Sequence, residues 1–132
     1  MVAGSEMNPD NKVVMVFLVR NDIKMGKGKI AFHDGHATQY IMEECIQRKH
    51  ATYTTWKRFH NSQKMVLKVN SEKELNELHS KLVDLAHDLH FPVKIVKDDQ
   101  ATQWGENMTI VVGFGPIRRD EVDCVIGGLK LL

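Results

Sequence analysis

The sequence predicts one α/β domain, a mixed four-stranded β-sheet with helices on both faces. Three observations carry that prediction. Val13 to Val19 is a near-continuous run of β-formers, the pattern of a strand covered on both sides. Ser71 to Leu89 opens with a capping box and then repeats leucine at helical spacing. Strand, helix, strand occurs twice, from Val13 to Val69 and from Lys64 to Val96, and such crossovers normally give right-handed, parallel connections. The sheet is therefore expected to be mostly parallel, with freedom for the last strand to return antiparallel.

In chain order, Val13–Val19 is the central strand. Ile30, Ala37, Ile41 and Cys45 then recur at helical spacing, and no proline interrupts the chain from Gly28 to Lys49, so a helix follows. Tyr53, Trp56 and Phe59 lie three apart between Thr52 and His60, as in a short helix or an aromatic-rich connection. Lys64–Val69 reads as a second strand. Ser71 and Glu74 can each satisfy a free backbone donor, which starts a helix whose stripe is Leu75, Leu78, Leu82, Leu85 and Leu89. Phe91 and Pro92 stop it, Val93–Val96 forms a short third strand, and Asp98–Asn107 is a polar loop. Met108–Phe114 is the fourth strand, closed by Gly115 and Pro116. Arg119–Ile126 is a last helix before the tail.

Length and charge set limits. A chain of 132 residues can bury one real core but not two. With 18 basic and 17 acidic residues and a net charge of +1, any contact with nucleic acid must come from a local patch. Residues 1–11 are read as a flexible N-terminal segment, in which residues 1–6, ahead of Met7, are either native or of cloning origin, and residues 12–132 as the folded domain. Residues Met1–Asp10 lack the pattern of a secretory signal or transit peptide, and the longest apolar run is far shorter than the roughly 18 residues of a membrane span. No membrane partner is expected. Cys45 and Cys124 fall in helical segments without metal or redox spacing, as reduced, packed thiols of a cytoplasmic protein do.

The stretch from Arg20 to Ala37 joins the first strand to the first helix and puts Arg20, Lys24, Lys27 and Lys29 on the junction, with Asp22, Gly26 and Gly28 between them. Backbone amides and ammonium groups there can converge on an anion such as phosphate. On spacing alone a solvated basic turn explains the same residues, and the ending of a nucleotide-binding P-loop is absent. In parallel sheets ligands bind beyond the carboxyl ends of strands. The loop after the third strand carries Asp98, Asp99, Thr102 and Gln103, so an ammonium and a carboxylate can face each other across a crevice. That combination suits hydrolysis of a phosphate-bearing substrate, or else is a plain salt bridge between loops. At about 100° per residue, Lys29, His33, His36 and Tyr40 line one flank of the first helix. Asp34 falls instead among Ile30, Ala37 and Ile41, where a carboxylate must find a donor, sit at the open end, or be protonated. His33 and Asp34 point apart and no zinc spacing is present, so no metal is expected. No serine or cysteine sits at a nucleophile elbow.

Taken together, MVFLVRNDIKMGKGKIA with the GHA that follows, KMVLKVNSEKEL, the Thr-Gln pair after Asp98, VVGFGP and the closing GLKLL resemble the archaeal and eukaryotic-type (type II) peptidyl-tRNA hydrolases. The resemblance runs from about Lys12 to Leu132. It implies a mixed four-stranded sheet flanked by helices, and cleavage of the ester between a peptide and the 3′-terminal ribose of tRNA, without a cofactor. Peptidyl-tRNA is the implied partner, with a homodimer left open. By motif, Lys29 and Asp98 match the family's key lysine and aspartate. Arg20, Asp22, Lys24 and Lys27 match its basic signature, His36 its helix histidine, and Thr102 and Gln103 its Thr-Gln pair. The chain also departs from the pattern. Phe32, His33 and Asp34 replace Ala-Gln-Cys, which puts an imidazole where an amide lines the site. Asp99, Gln100 and Ala101 replace Ala-Gly-Arg, Glu106 and Asn107 replace Pro-Gly, and Ile110, Ile126 and Gly128 replace Thr, Thr and His. The lost arginine and added acids weaken attraction for phosphate. A catalytically weak or inactive member that binds RNA or protein is therefore the alternative reading.

Overall fold

The structure is a computed structural model that describes residues 11–98 and 108–132. Its elements are β1 (Val13–Arg20), α1 (Lys27–Arg48), α2 (Ala51–Phe59), β2 (Lys64–Val69), α3 (Glu72–Leu89), β3 (Val93–Asp98), β4 (Met108–Arg118) and α4 (Arg119–Ile126). The four strands form one mixed sheet in the order β2-β1-β4-β3. The α/β class, the strand count and the helices on both faces are as the sequence predicts.

Strand β1 is buried along its whole length, and its alternating side chains feed two cores. Val14, Val16 and Leu18 join Leu67, Leu75, Leu82, Phe114 and Val122 beneath α3 and α4. Val13, Met15, Phe17 and Val19 join Ala37, Ile41, Cys45 and Trp56 beneath α1 and α2. The α2 assignment thereby resolves to a helix. Its Trp56 is buried and donates from Nε1 to the Gln63 carbonyl at 2.7 Å, while Phe59 stays exposed. Ser71 caps α3 by accepting from the Glu74 amide at 3.1 Å, and the leucine stripe packs at Leu75, Leu78 and Leu82 before fading to an exposed Leu89.

The pairing differs from the expected mostly parallel sheet. Only β1 and β2 pair in parallel, while β4 is antiparallel to both β1 and β3. The physical reason lies in β4 itself: Thr109 to Ile117 are all buried, and a strand apolar on both faces belongs in the interior of a sheet. It inserts between β1 and β3, which still run in the same direction. Strand β4 also continues past its expected end at Phe114. The register changes from Val14↔Ile117 to Val16↔Phe114, so a bulge with Gly115 at φ 103 absorbs Pro116, which has no N–H for the ladder. Strand β3 likewise runs to Asp98, so that residue ends a strand rather than opening a loop. The tail covers the outer edge of β2, with the Lys68 amide donating to the Lys130 carbonyl at 2.9 Å and the Leu132 amide to the Val66 carbonyl at 3.0 Å.

Helix α1 lies very close to the sheet. A Cβ built on Gly113 of β4 would stand 2.9 Å from the Ala37 Cβ, 3.1 Å from Ile41 Cδ1 and 3.3 Å from Phe17 Cδ1. Gly113→Ala should therefore push α1 outward and destabilise the protein by about 1–3 kcal/mol, the usual cost of overpacking. Chemical denaturation measures this, and an unchanged midpoint would mean that α1 yields freely.

Candidate active site

Helix α1 begins at Lys27 with Gly26 as its N-cap, so Gly28 and Lys29 lie in the first helical turn and not in the preceding basic turn. Lys29 thus projects from a rigid element beside the carboxyl end of β3. Its Nζ stands 2.8 Å from Asp98 Oδ2, with the aspartate side chain only 5% exposed and the lysine 43%. A charge so withdrawn from water needs close compensation, and the ammonium supplies it. Lys94 of β3 also pairs with Glu44 of α1 at 2.7 Å, which fastens the two elements a second time.

The pair sits at the head of an open cleft of about 740 Å³ lined by Gly28, Lys29, Phe32, His33, His36, Tyr40, Ile95, Val96, Lys97 and Asp98. The four residues of the helical flank, Lys29, His33, His36 and Tyr40, all border this cleft, which runs between α1 and β3 and takes none of its described lining from β1 or from the turn that carries Lys24. Sequence reasoning missed Lys97 and Ile95, and it noted Phe32 only as a departure. The spacing Phe32, His36, Tyr40 was the available signal for that ring.

His33 is the surprise within the flank. It is 4% exposed and continues the buried stripe of Ala37, Ile41 and Cys45, which the sequence reading had given to Asp34. Asp34 is half-buried in a second groove with Lys27, Ile30, Ala31, Val66 and Leu132. Its Oδ1 is buried without a hydrogen-bond partner among the described residues, and desolvation raises its pKa to about 6. Of the three outcomes foreseen for that carboxyl, a donor is not found among the described residues, and the group instead lies half-buried in the groove and holds its proton more tightly than an ordinary carboxylic acid.

The other candidate residues are divided. Arg20 is buried and grips Asp22 through two bonds, Nε to Oδ1 at 3.0 Å and Nη2 to Oδ2 at 2.6 Å. Its Nη1 donates to the Thr109 carbonyl at 3.4 Å and lies 3.8 Å from Glu72 Oε2, which in turn accepts from the Thr109 amide at 2.9 Å. The guanidinium bonds outweigh burial and hold the Asp22 carboxyl below its usual range. These two residues therefore tie the ends of β1, β4 and α3 together and lie outside the cleft lining. Lys24 and Lys27 are exposed nearby, also outside that lining. Thr102 and Gln103 lie outside the described residues. Among the described residues no three acidic, histidine or cysteine side chains converge to hold a metal ion. Burial pushes the Cys45 thiol up to about 11, an inert core position, whereas Cys124, expected to be packed, is exposed on α4.

The family model described as Peptidyl-tRNA hydrolase PTH2 matches residues 13–132. The chain belongs to that family. Similar members include the peptidyl-tRNA hydrolase of Methanocaldococcus jannaschii, 35% identical over 89% of this chain and 98% of the relative. That of Saccharolobus solfataricus is 35% identical over 91% and 99%, respectively. The mitochondrial peptidyl-tRNA hydrolase 2 of Bos taurus is 34% identical over 97% of this chain and 69% of its own length. Among the described residues no helix is long and apolar enough to cross a membrane.

The Asp34 carboxyl makes a prediction for stability. Its folded pKa near 6 exceeds the ordinary aspartate value of 3.8, so the native state binds the proton more tightly than the unfolded chain. Stability should then fall as pH rises from about 4 through 6. Asp34→Asn should raise Tm by about 2–4 °C at pH 7.5, a gain that shrinks towards pH 4. Thermal melts at both pH values check this, and a gain independent of pH would contradict it.

Proposed function

We propose that this protein hydrolyses the ester between a peptide and the 3′-terminal ribose of tRNA, with Lys29 and Asp98 as the catalytic pair. The observation that carries the reading is the 2.8 Å contact between Lys29 Nζ and the buried Asp98 carboxylate at the head of an open cleft. The relatives' names supply the substrate, peptidyl-tRNA.

Asp98 is positioned to orient a water molecule and accept its proton as the oxygen attacks the ester carbonyl. The ammonium of Lys29, with backbone amides of the first turn of α1, then faces the oxygen on which negative charge develops. Collapse of the tetrahedral intermediate breaks the bond to the ribose oxygen, which leaves as the alkoxide and takes up a proton. The products are a peptide carboxylate and a free tRNA 3′-end. Exposed Lys24 and Lys27 reach for backbone phosphates without reading sequence. Thr102 and Gln103, by family motif, hold the peptide or the ribose. His33 and His36 complete the lining, and Arg20 with Asp22 acts at one remove by fixing the ends of the strands.

The cytoplasm, where translation leaves such esters, is the compartment this reading assumes. Against the inactive alternative, which the departures from the family pattern motivate, both members of the proposed pair are present and in contact.

The test is release of free tRNA from a tRNA carrying an N-blocked amino acid. Lys29→Ala and Asp98→Ala should each slow turnover by at least ~10²-fold, the usual scale for losing an electrostatic or acid–base group. Circular dichroism verifies that each variant is folded. Wild-type turnover in both variants would place the chemistry elsewhere.

A further inference from the structure

Phe32 presents an unexplained cost. It is 60% exposed on α1, at the cleft and away from both cores, where an aromatic ring gains little from the fold. It is also the first of three rings in a row. The centroid of Phe32 lies 4.4 Å from that of His36, edge to face, and His36 lies 6.2 Å from Tyr40 with planes only 11° apart. Tyr40 too is exposed. On an α-helix, positions 32, 36 and 40 climb about 6 Å per step along one flank. The row therefore begins about one turn beyond Lys29 and leads away from the ion pair.

We propose that Phe32, His36 and Tyr40 form a stacking platform for the unpaired bases at the 3′-end of the tRNA, with the terminal base on Phe32; this rests on the substrate proposed above. Register supports the assignment. A ribose whose ester lies at Lys29 and Asp98 has the Phe32 ring within one helical turn of that ester, a distance its attached base can span. The preceding nucleotides then follow the helix past His36 and Tyr40. The surrounding charge selects bases over an apolar peptide side chain. Lys29 and the exposed Lys97 border the rings within the cleft, and Ile95 and Val96 are the aliphatic part of its described lining. Aromatic faces interleaved with cations suit single-stranded nucleic acid, because every base has a π-face and every linkage a negative charge.

The experiment uses a short single-stranded RNA with 2-aminopurine as its 3′-terminal base, whose fluorescence is quenched on stacking, titrated with wild type, Phe32→Ala and Phe32→Tyr. Wild type and Phe32→Tyr should quench it. Phe32→Ala should lose the quench and bind roughly 5- to 150-fold more weakly, the span of a lost base–aromatic stack. With an N-blocked aminoacyl-tRNA the Phe32→Ala loss should fall on KM rather than kcat, and equally for blocked glycine and blocked phenylalanine. No quench by an enzyme that cleaves its substrate overturns the platform. So does a KM effect confined to blocked phenylalanine, which would give the rings to the peptide. The RNA titration does not depend on turnover, so an inactive protein that still shows a Phe32-dependent quench keeps the platform while refuting the proposed hydrolysis.

Discussion

The interaction on which the site depends is the contact between Lys29 and Asp98, because a carboxylate 5% exposed cannot remain charged cheaply without a cation at close range. Its geometry comes from two rigid elements. Lys29 is fixed by the first turn of α1, and Asp98 is the last residue of β3, so both are carried on regular secondary structure. A site built on a helix and a strand holds its groups more closely than one built on connections.

The rest of the fold keeps those two elements in register. β4 separates β1 from β3 and is closely packed against α1 at Gly113, where the helix approaches the sheet too nearly for any side chain. The ion pair of Lys94 with Glu44 joins β3 to α1 farther along the helix. Arg20 closes the same end of the sheet from the other side, joining β1 to α3 and β4 through Asp22, Glu72 and Thr109. A residue that a motif marks as part of the site can thus serve it by shaping its frame.

Much of this was legible because hydrophobic periodicity is a local signal. The run Val13–Val19, the leucines of α3 and the Ser71 cap each declared an element, and helical phase alone grouped Lys29, His33, His36 and Tyr40 on the cleft. What was not legible depended on partners distant in sequence. The antiparallel return of β4 was foreseen, but its place between β1 and β3 follows from burial on both of its faces, which short apolar runs do not distinguish from an edge position. The bulge at Gly115 depends on the register with β1. The exchange of roles between His33 and Asp34 turns on a small rotation of α1 against the sheet, and a stripe only one residue wide cannot fix that angle. Arg20 read as one of the cations of the basic junction although its main partner, Asp22, is only two residues away, because the burial of the pair depends on Thr109 and Glu72 of other elements.

The central claim is that Lys29 and Asp98 act as one unit, the ammonium sustaining the buried carboxylate that activates water. A double-mutant cycle on kcat/KM for peptidyl-tRNA, with Lys29→Ala, Asp98→Ala and the combined variant, addresses this directly. The account predicts that the double variant is no slower than the worse single one. Losses that multiply across the two positions would show that the residues contribute independently, and would contradict it.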